Sequence, residues 1–292
     1  MIGDETIGDE MIGAQSGSQR ALALVGPGRA GTALAAALVA RGWTAVAVAG
    51  RSVDAASTRR AADRLGAPAV TVADAGRDAD LVIVATPDSA IAETAFVLAP
   101  SLPPGALVVH LSGACPLEEL DKLHRARPDV DVGSFHPLQS LPSVELGSAR
   151  LAGSWCAVEG PAAVERLAVS LGMRPFRVAP GDRVEYHAAA TIASNHLVAV
   201  LGQAARVARD AGVPVEALWP LVRATIDNVE AVGAQDALTG PVARGDADTV
   251  ARHLDVLPAG ERSAYRALAR EALRLSGRDD PRVRDVLGEE LG

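Results

Sequence analysis

Residues 21–52 constrain the fold more than any other part of the chain. An apolar run leads into Gly26-Pro27-Gly28-Arg29-Ala30-Gly31, a helix-forming stretch follows, and a second apolar run ends at Gly50-Arg51-Ser52. This order is typical of a dinucleotide-binding βαβ unit. The first glycine permits a tight turn, the second lets the backbone approach a pyrophosphate, and the third lets the helix pack closely on the strand. The helix then directs free N–H groups and its positive dipole end toward the phosphates.

The residue that follows the second strand indicates which dinucleotide binds. Units that bind NAD carry an acidic side chain about 20 residues beyond the last glycine. This chain has Arg51 there, followed by Ser52. A guanidinium pairs its N–H groups with phosphate oxygens, and the hydroxyl adds a donor. Arg51 at this position therefore favours NADP as the cofactor. The alternative is that Arg51 is a solvated arginine at a strand end.

Composition and charge exclude several classes of protein. The length of 292 residues suggests about two domains, and a hydrophobic content of 49% is ample for two cores. Aromatic residues make up only 3% and the net charge is −8, so we do not expect a nucleic-acid partner. Cys115 and Cys156 form no metal-binding pattern, and we expect reduced thiols and no structural metal. No apolar run has the length of a membrane span and no signal peptide precedes the fold, so we expect a cytoplasmic protein without a membrane partner.

The pattern of apolar runs predicts two domains. Up to about residue 179, short apolar runs alternate with alanine-rich helical segments, which indicates an α/β fold with a doubly wound, mostly parallel sheet. We predict an NADP-binding Rossmann domain over 20–179 and an all-helical domain for substrate binding and dimerisation over 180–292. Residues 1–19 repeat Ile-Gly-Asp-Glu without a core pattern, and we expect a disordered leader there. After residue 69 the predicted strands are 69–72, 81–85, 106–111, 130–135, 155–159 and 175–178, and the predicted C-terminal helices are 182–211, 214–235, 247–256, 259–275 and 280–290.

Candidate site residues follow the strands, because ligands bind beyond the carboxyl ends of an open parallel sheet. Thr86-Pro87 and Ser112 follow two strands and are candidate cofactor contacts, although Ser and Thr also occur in turns for their local hydrogen bonds. His136 follows a third strand and precedes Pro137, which restrains it to extended conformations. We expect a rigid loop that carries an imidazole titrating near neutral pH, as proton transfer to a carbonyl oxygen requires. A histidine bonded within its loop is the alternative. Gln139 is either a donor to a substrate carboxylate or an ordinary loop residue.

The first helix after the predicted boundary carries a second group of polar residues. At about 100° per residue, His187, Thr191 and Ser194 share one face, Asn195 adjoins it, and His196 points to the opposite side. Because the surrounding residues are apolar, we predict that this polar stripe is buried and contacts substrate in an interdomain cleft. The alternative is a helix–helix contact in which these polar groups find their hydrogen-bond partners. The apolar length of this helix, about 30 residues or 45 Å, predicts burial against a second copy of the chain in a homodimer.

A loop near residue 240 has a structural and a functional interpretation. Gly240 can end a helix, Pro241 prevents its continuation, and Asp246 or Asp248 can cap the next helix. The same loop offers Thr239 and Arg244, which could hold a carboxylate.

The motifs in combination resemble those of a known family. The segments VGPGRAGTALAAAL, VATPDSAI, LSGA, GSFHPLQS, YHAAATIASNHLVAVL and LTGPVARGD resemble the bacterial Rossmann-like and DUF2520 domain proteins of the 6-phosphogluconate dehydrogenase-like superfamily. The resemblance covers residues 21 to about 257. It implies an NADP-binding Rossmann domain joined to a helical domain, usually in a dimer, with the site in the cleft. Some members of the family resemble an alternative type of ketopantoate reductase.

Two related enzyme groups suggest how a reaction would proceed. Hydroxyacid dehydrogenases and ordinary ketopantoate reductases place Lys-x-x-x-Asn on the corresponding helix; Asn195 matches the asparagine, but Thr191 stands at the lysine position. Prephenate dehydrogenases carry a histidine-proline loop and a helix with His followed seven residues later by Ser, similar to His136-Pro137 and to His187 with Ser194.

The resemblance therefore implies that His136 or His187 replaces the lysine as proton donor. The expected function is NADPH-dependent reduction of a small 2-oxo acid, with ketopantoate as the leading guess. Prephenate or arogenate dehydrogenase-like oxidation, and NADP binding by a regulatory protein without turnover, are the alternatives.

Overall fold

The computed structural model describes residues 20–288, and an eight-stranded sheet organises the first part of this range. The strand order is β3-β2-β1-β4-β5-β6-β7-β8, and the neighbours from β3 through β6 are parallel. The fold is thus the doubly wound, mostly parallel sheet that the sequence predicts. The strands are β1 Ala21–Val25, β2 Thr44–Ala49, β3 Ala69–Val70, β4 Leu81–Val84, β5 Leu107–His110, β6 Asp131–Leu138, β7 Trp155–Glu159 and β8 Arg174–Phe176.

Helices and apolar side chains cover the sheet on both faces. The side chains of Leu22 and Leu24 pack into one core with Leu34 and Leu38, while Ala23 and Val25 belong to a second core. This alternation is the period of two that a strand imposes, and burial on both sides explains why β4 is apolar throughout. The helices of this unit are α1 Arg29–Val39, α2 Ala56–Leu65, α3 Ile91–Leu98, α4 Asp121–Ala126, α5 Val144–Arg150, α6 Ala162–Ser170 and α7 Arg183–Thr191.

Strand β6 is longer than predicted, and the expected loop at His136 is a wrong prediction. β6 pairs in parallel with β5 over Asp131–Ser134, and then antiparallel with β7 through Leu138. Pro137 lies opposite Cys156 in this ladder, where its fixed φ suits an extended strand. The local sequence concealed this pairing because the partner strand begins 17 residues after β6 ends, following the unpredicted helix α5.

The described residues form two compact units, the first ending at Ser194 and the second beginning at Asn195. The last strand ends at Phe176, close to the predicted domain boundary near 180. Helix α7 lies beyond that boundary but still belongs to the first unit. The predicted leader, residues 1–19, lies outside the described residues. The second unit consists of α8 Leu197–Asp210, α9 Leu218–Val232, α10 Ala234–Ala237, α11 Pro241–Arg244, α12 Ala247–Val256, α13 Ala259–Leu275 and α14 Pro281–Leu287.

A π-helical segment, Ile192–His196, interrupts the helix predicted over 182–211. Hydrogen bonds from i to i+5 widen the turn, so 100° per residue does not apply across these five positions. His187 and Thr191 lie in the regular helix α7 and keep their shared face, whereas the predicted positions of Ser194 and Asn195, and the opposite orientation of His196, rested on that angle and lose their geometric basis. Within residues 20–288, no helix combines the length and apolar character needed to cross a membrane.

Candidate active site at the carboxyl edge of the sheet

The glycine loop is shaped by close backbone approaches. Gly26 has φ +87°, and a Cβ there would lie 2.5 Å from the carbonyl carbon of Ala85. A Cβ on Gly31 would lie 2.6 Å from that of Ala85 and 2.9 Å from Cδ1 of Leu24. Only glycine fits at either position, because the loop and α1 lie directly against the ends of β1 and β4.

The amino terminus of α1 has the properties of a phosphate site. A Cβ on Gly28 would meet no atom within 4 Å, so the space beside this residue is open. The helix begins at Arg29 with no side-chain cap and no acidic residue in its first turn, which leaves its N–H groups to a ligand. The buried Oγ1 of Thr86 has no hydrogen-bond partner within residues 20–288. These features fit a dinucleotide, whose pyrophosphate the loop and the α1 N–H groups would hold.

A basic cavity adjoins this loop between α1 and α2. Its volume is about 230 Å³, and Gly28, Arg29, Ser57, Arg60 and Arg64 are among its lining residues. Arg64 is paired with Glu145, whereas Arg60 has no charged or hydrogen-bonded partner in the described part of the chain.

The predicted 2′-phosphate residues lie beside α2. Arg51 and Ser52 are exposed immediately after β2, and within the described range neither makes a side-chain hydrogen bond. Arg29 and Arg60 line the cavity, and among residues 20–288 no acidic side chain forms an ion pair with Arg51 or Arg60.

Ser112 and Gln139 serve local structure. Ser112 Oγ accepts hydrogen bonds from the backbone N–H groups of Ala114 and Cys115, at 3.2 and 2.9 Å. Gln139 accepts from the N–H of Ser140 at 2.8 Å and donates to the carbonyl of Arg150 at 3.4 Å. Ser112 thus makes the local hydrogen bonds of a turn, and Gln139 those of an ordinary loop residue, which are the alternatives that the sequence left open.

A row of polar side chains crosses the sheet next to this edge. His110, Ser134 and Glu159 are in register on β5, β6 and β7, and the first two are completely buried. Paired residues point to the same face, and His136 lies two residues beyond Ser134 on that face. The sequence indicated this row weakly, by the polar residues that end or interrupt apolar strands.

Arg183, at the start of α7, lies against this row. Its guanidinium donates to Glu159 Oε2 at 3.0 Å, to Ser134 Oγ at 2.7 Å and to the carbonyl of Ser112 at 3.0 Å, and its side chain is 1% exposed. The first turn of α7 is therefore bound to β6, β7 and the segment after β5. Sequence reasoning missed Arg183, because its partners are 24 to 71 residues away in the chain.

Three aromatic side chains meet beyond this row. His136 Nδ1 is 2.7 Å from the hydroxyl of Tyr186, and the His187 ring packs edge-on against His136 with centroids 5.7 Å apart. A Cβ on Gly113 would lie 2.6 Å from His187 Nδ1 and 2.9 Å from His136 Nε2. The structure thus brings together the two predicted histidines, and adds Tyr186 and Gly113, which sequence reasoning missed.

Burial keeps His136 and Tyr186 neutral. It lowers the pKa of His136 to about 4, and the neighbouring His187 and Arg183 act in the same direction. Burial also lowers the pKa of His110 to about 4 and raises the pKa of Tyr186 to about 12. The expectation that His136 titrates near neutral pH is therefore wrong: its imidazole is uncharged at pH 7, and the phenol keeps its proton.

The remaining predicted residues lie in the π-helical segment and in the second unit. Ser194 is half-buried and Asn195 exposed, both in the π-helical segment. In the second unit, Gly240 precedes α11, which begins at Pro241 and ends at Arg244, and Asp246 caps α12 by accepting from the N–H of Thr249 at 3.0 Å. The cap by Asp246 is as predicted, but Gly240 does not end a helix, because α10 ends at Ala237 and Pro241 begins α11. The ligand role of Thr239 and Arg244 stays a prediction. Both cysteines are free thiols, and residues 20–288 contain no cluster of three or more metal-ligating side chains.

The fold and the loop define a Rossmann-type nucleotide-binding protein, and comparison with known families agrees. A model of Rossmann-like domains matches residues 10–127, and a model of the domain of unknown function DUF2520 matches residues 155–272. The chain belongs to the proteins that join these two domains, as its motifs indicate.

Solved structures share the fold. A Bacteroides fragilis protein provisionally described as an NADP oxidoreductase is 27% identical, with a TM-score of 0.76 over 88% of this chain and 98% of that one. A Thermotoga maritima protein is 24% identical, with a TM-score of 0.68 over 88% and 100% of the two chains. A reductive aminase from Aspergillus terreus, solved with NADPH and ethyl levulinate, is 17% identical, with a TM-score of 0.55 over 93% and 92%. The search of curated proteins returned no match.

Proposed function

We propose that this protein is an NADP(H)-dependent oxidoreductase that acts on the carbonyl group of a small 2-oxo acid. The observation that carries the proposal is the position of two features on one sheet. The glycine loop follows β1, and the partly exposed His136 lies near the carboxyl end of β6, so both are at the edge where such folds bind ligands. Similarity to the Bacteroides protein described as an NADP oxidoreductase supports the same class.

The preference for NADP rests on charge. Arg51 occupies the position where an acidic residue would bind the ribose of NAD, and Arg60 adds a second unpaired guanidinium on the adjacent helix. A phosphate monoester carries close to two negative charges, which these side chains would neutralise.

Reduction requires a hydride, which the bound nicotinamide would supply, and a proton for the oxygen. His136 would bind the carbonyl oxygen through Nε2, which makes no hydrogen bond within residues 20–288. As the oxygen gains charge, the Nε2 proton would pass to it, and the ring, which would otherwise become anionic, would regain a proton from solvent while the phenol of Tyr186 stabilises it through Nδ1. His187 would orient the substrate beside His136, and Ser194 and Asn195 would assist from the adjoining segment.

The neutral state of His136 also suits the reverse reaction. In the tautomer that leaves Nε2 bare and donates from Nδ1 to Tyr186, an uncharged imidazole can accept a proton from a hydroxyl group, as oxidation of an alcohol requires. The activity should therefore be assayed in both directions, and the compounds tested for oxidation with NADP⁺ should include prephenate and arogenate.

The test is a panel of 2-oxo acids with NADPH and with NADH, followed by nicotinamide absorbance, with ketopantoate first because of the family resemblance. We expect turnover with at least one oxo acid and faster turnover with NADPH. His136→Ala should lower kcat by about 10²–10⁴-fold without weakening NADPH binding. Tight NADPH binding with no turnover in either direction would overturn the enzymatic proposal in favour of a regulatory protein.

A further inference from the structure

Each of the two tyrosines in this chain contacts Nδ1 of a histidine. The Tyr186 hydroxyl is 2.7 Å from His136 Nδ1, and the rings meet edge-on with centroids 5.6 Å apart. Tyr265 lies 2.8 Å from His253 Nδ1, with centroids 5.9 Å apart. The first pair is in the candidate site and the second is in the helical unit, which gives the chain an internal control.

The direction of the Tyr186 hydrogen bond decides where the His136 proton lies. A neutral imidazole carries one proton, on either Nδ1 or Nε2. At neutral pH His136 is uncharged and Tyr186 retains its phenolic proton, because burial lowers the pKa of the first to about 4 and raises that of the second to about 12. A phenol is a stronger donor than a neutral imidazole N–H, and a bare ring nitrogen is a stronger acceptor than a phenol oxygen. The O–H of Tyr186 therefore donates to Nδ1, and the ring proton lies on Nε2.

The anchored helix α7 and a neighbouring ring both restrict the Tyr186 phenol. Arg183, three residues earlier on α7, is bound to Ser134 and Glu159, and residues at this spacing share one face of a helix. The ring of Phe176 packs edge-on against Tyr186, with centroids 5.7 Å apart. A rigid donor at 2.7 Å fixes both the tautomer and the orientation of its partner ring.

We propose that Tyr186 is a positioning residue that fixes the tautomer of His136 and leaves the protonated Nε2 available to a substrate oxygen. The catalytic consequence rests on the proposed function, whereas the tautomer does not. The primary test therefore uses no substrate.

The tautomer can be read from the imidazole nitrogens by NMR of the full chain with ¹⁵N-labelled histidine. The six histidines make the signals assignable through single substitutions, and His136→Asn identifies the relevant pair. At neutral pH we expect a protonated Nε2 and an unprotonated Nδ1 for His136 in the unaltered protein. Tyr186→Phe should move both signals toward the average of a tautomer mixture, and the control Tyr265→Phe should leave them unchanged.

Three results would overturn the proposal. The first is a protonated Nδ1 of His136 in the unaltered protein, an outcome that does not depend on how Tyr186→Phe folds. The second is an unchanged His136 signal pair in Tyr186→Phe, and the third is an equal response to Tyr265→Phe. If turnover is found, Tyr186→Phe should lower kcat by about 10–100-fold with unchanged KM for NADPH, a smaller loss than removal of His136. Absence of turnover would count against the proposed function alone.

Discussion

Arg183 donates to Ser134 Oγ at 2.7 Å, and this contact binds α7 to β6 two residues before His136. The same guanidinium also neutralises Glu159, so one buried side chain connects the helix that carries Tyr186 and His187 to the strand that carries His136.

Loss of Arg183 should strongly destabilise the protein. Arg183→Met leaves the Glu159 carboxylate, whose side chain is 17% exposed, without its partner, and breaking a buried pair typically costs about 3–5 kcal/mol. Urea unfolding should measure this loss. The control Arg177→Met, in an exposed pair with Glu165, should cost at most about 1 kcal/mol. Equal losses in the two variants would contradict the anchoring role of Arg183.

Gly113 should be intolerant of a methyl group. Gly113→Ala would place Cβ 2.6 Å from His187 Nδ1 and 2.8 Å from His136 Cε1, so the two rings must separate. We expect perturbed His136 and His187 signals in the ¹⁵N spectrum and, if the protein is an enzyme, reduced kcat. Gly260→Ala is the matched control, because a Cβ there meets no atom within 4 Å. Unchanged signals in Gly113→Ala would show that the loop moves freely away from the histidines.

Acid should destabilise the fold through two histidines. Their folded pKa values of about 4 lie below the value of about 6.5 expected in the unfolded chain, so the unfolded state binds more protons in this window. The stability that His110 and His136 contribute is complete above about pH 6.5 and falls as the pH drops toward 4, by up to about 1.4 kcal/mol per pH unit for each. Urea unfolding between pH 7.5 and 5 measures the slope. His136→Asn should flatten it and exposed His196→Ala should not; an identical slope in all three proteins would count against a neutral His136.

Cofactor preference should depend on two arginines. Arg51→Ala should weaken NADPH binding by about 1–3 kcal/mol with little effect on NADH, because the lost hydrogen bonds are charge-assisted. Arg60→Ala should act in the same direction, since its side chain lines the cavity beside Gly28. Calorimetry with both nucleotides measures the effect. Arg59→Ala, which removes an exposed partner of Asp54, is the control. Equal affinity of the unaltered protein for the two nucleotides would contradict the assignment.

Helix α9 predicts a dimer. None of its 15 residues is buried, and the large apolar side chains of Trp219, Leu221 and Ile226 are 40%, 66% and 48% exposed. Such an apolar surface is typical of an interface, and a second copy of the chain is the partner that the family resemblance implies. Light scattering should give twice the chain mass. Leu221→Glu should shift this toward the monomer, whereas Val256→Glu, on α12, should not. A monomer at micromolar concentration would refute the prediction.

The glycine loop and most of the elements could be predicted from the sequence, because their signals are local. The spacing of Gly26, Gly28 and Gly31 between a strand and a helix is such a signal, although Ala85, after β4, is the main residue that excludes a side chain at Gly26 and Gly31. Continuous apolar runs specified the parallel strands, and β7, α12 and α13 have the bounds that the sequence predicts.

Only the tertiary structure decided the environment of the candidate catalytic group. His136 became a strand residue because β7 pairs with it from a distant part of the chain, and it became neutral because burial penalises its charged form. Arg183 and Tyr186 acquired roles through partners that are 24 to 71 residues away. The π-helical segment altered the helix face that regular geometry predicted. Local patterns specify elements and phosphate loops, whereas protonation states and side-chain partners depend on which elements the folded chain brings together.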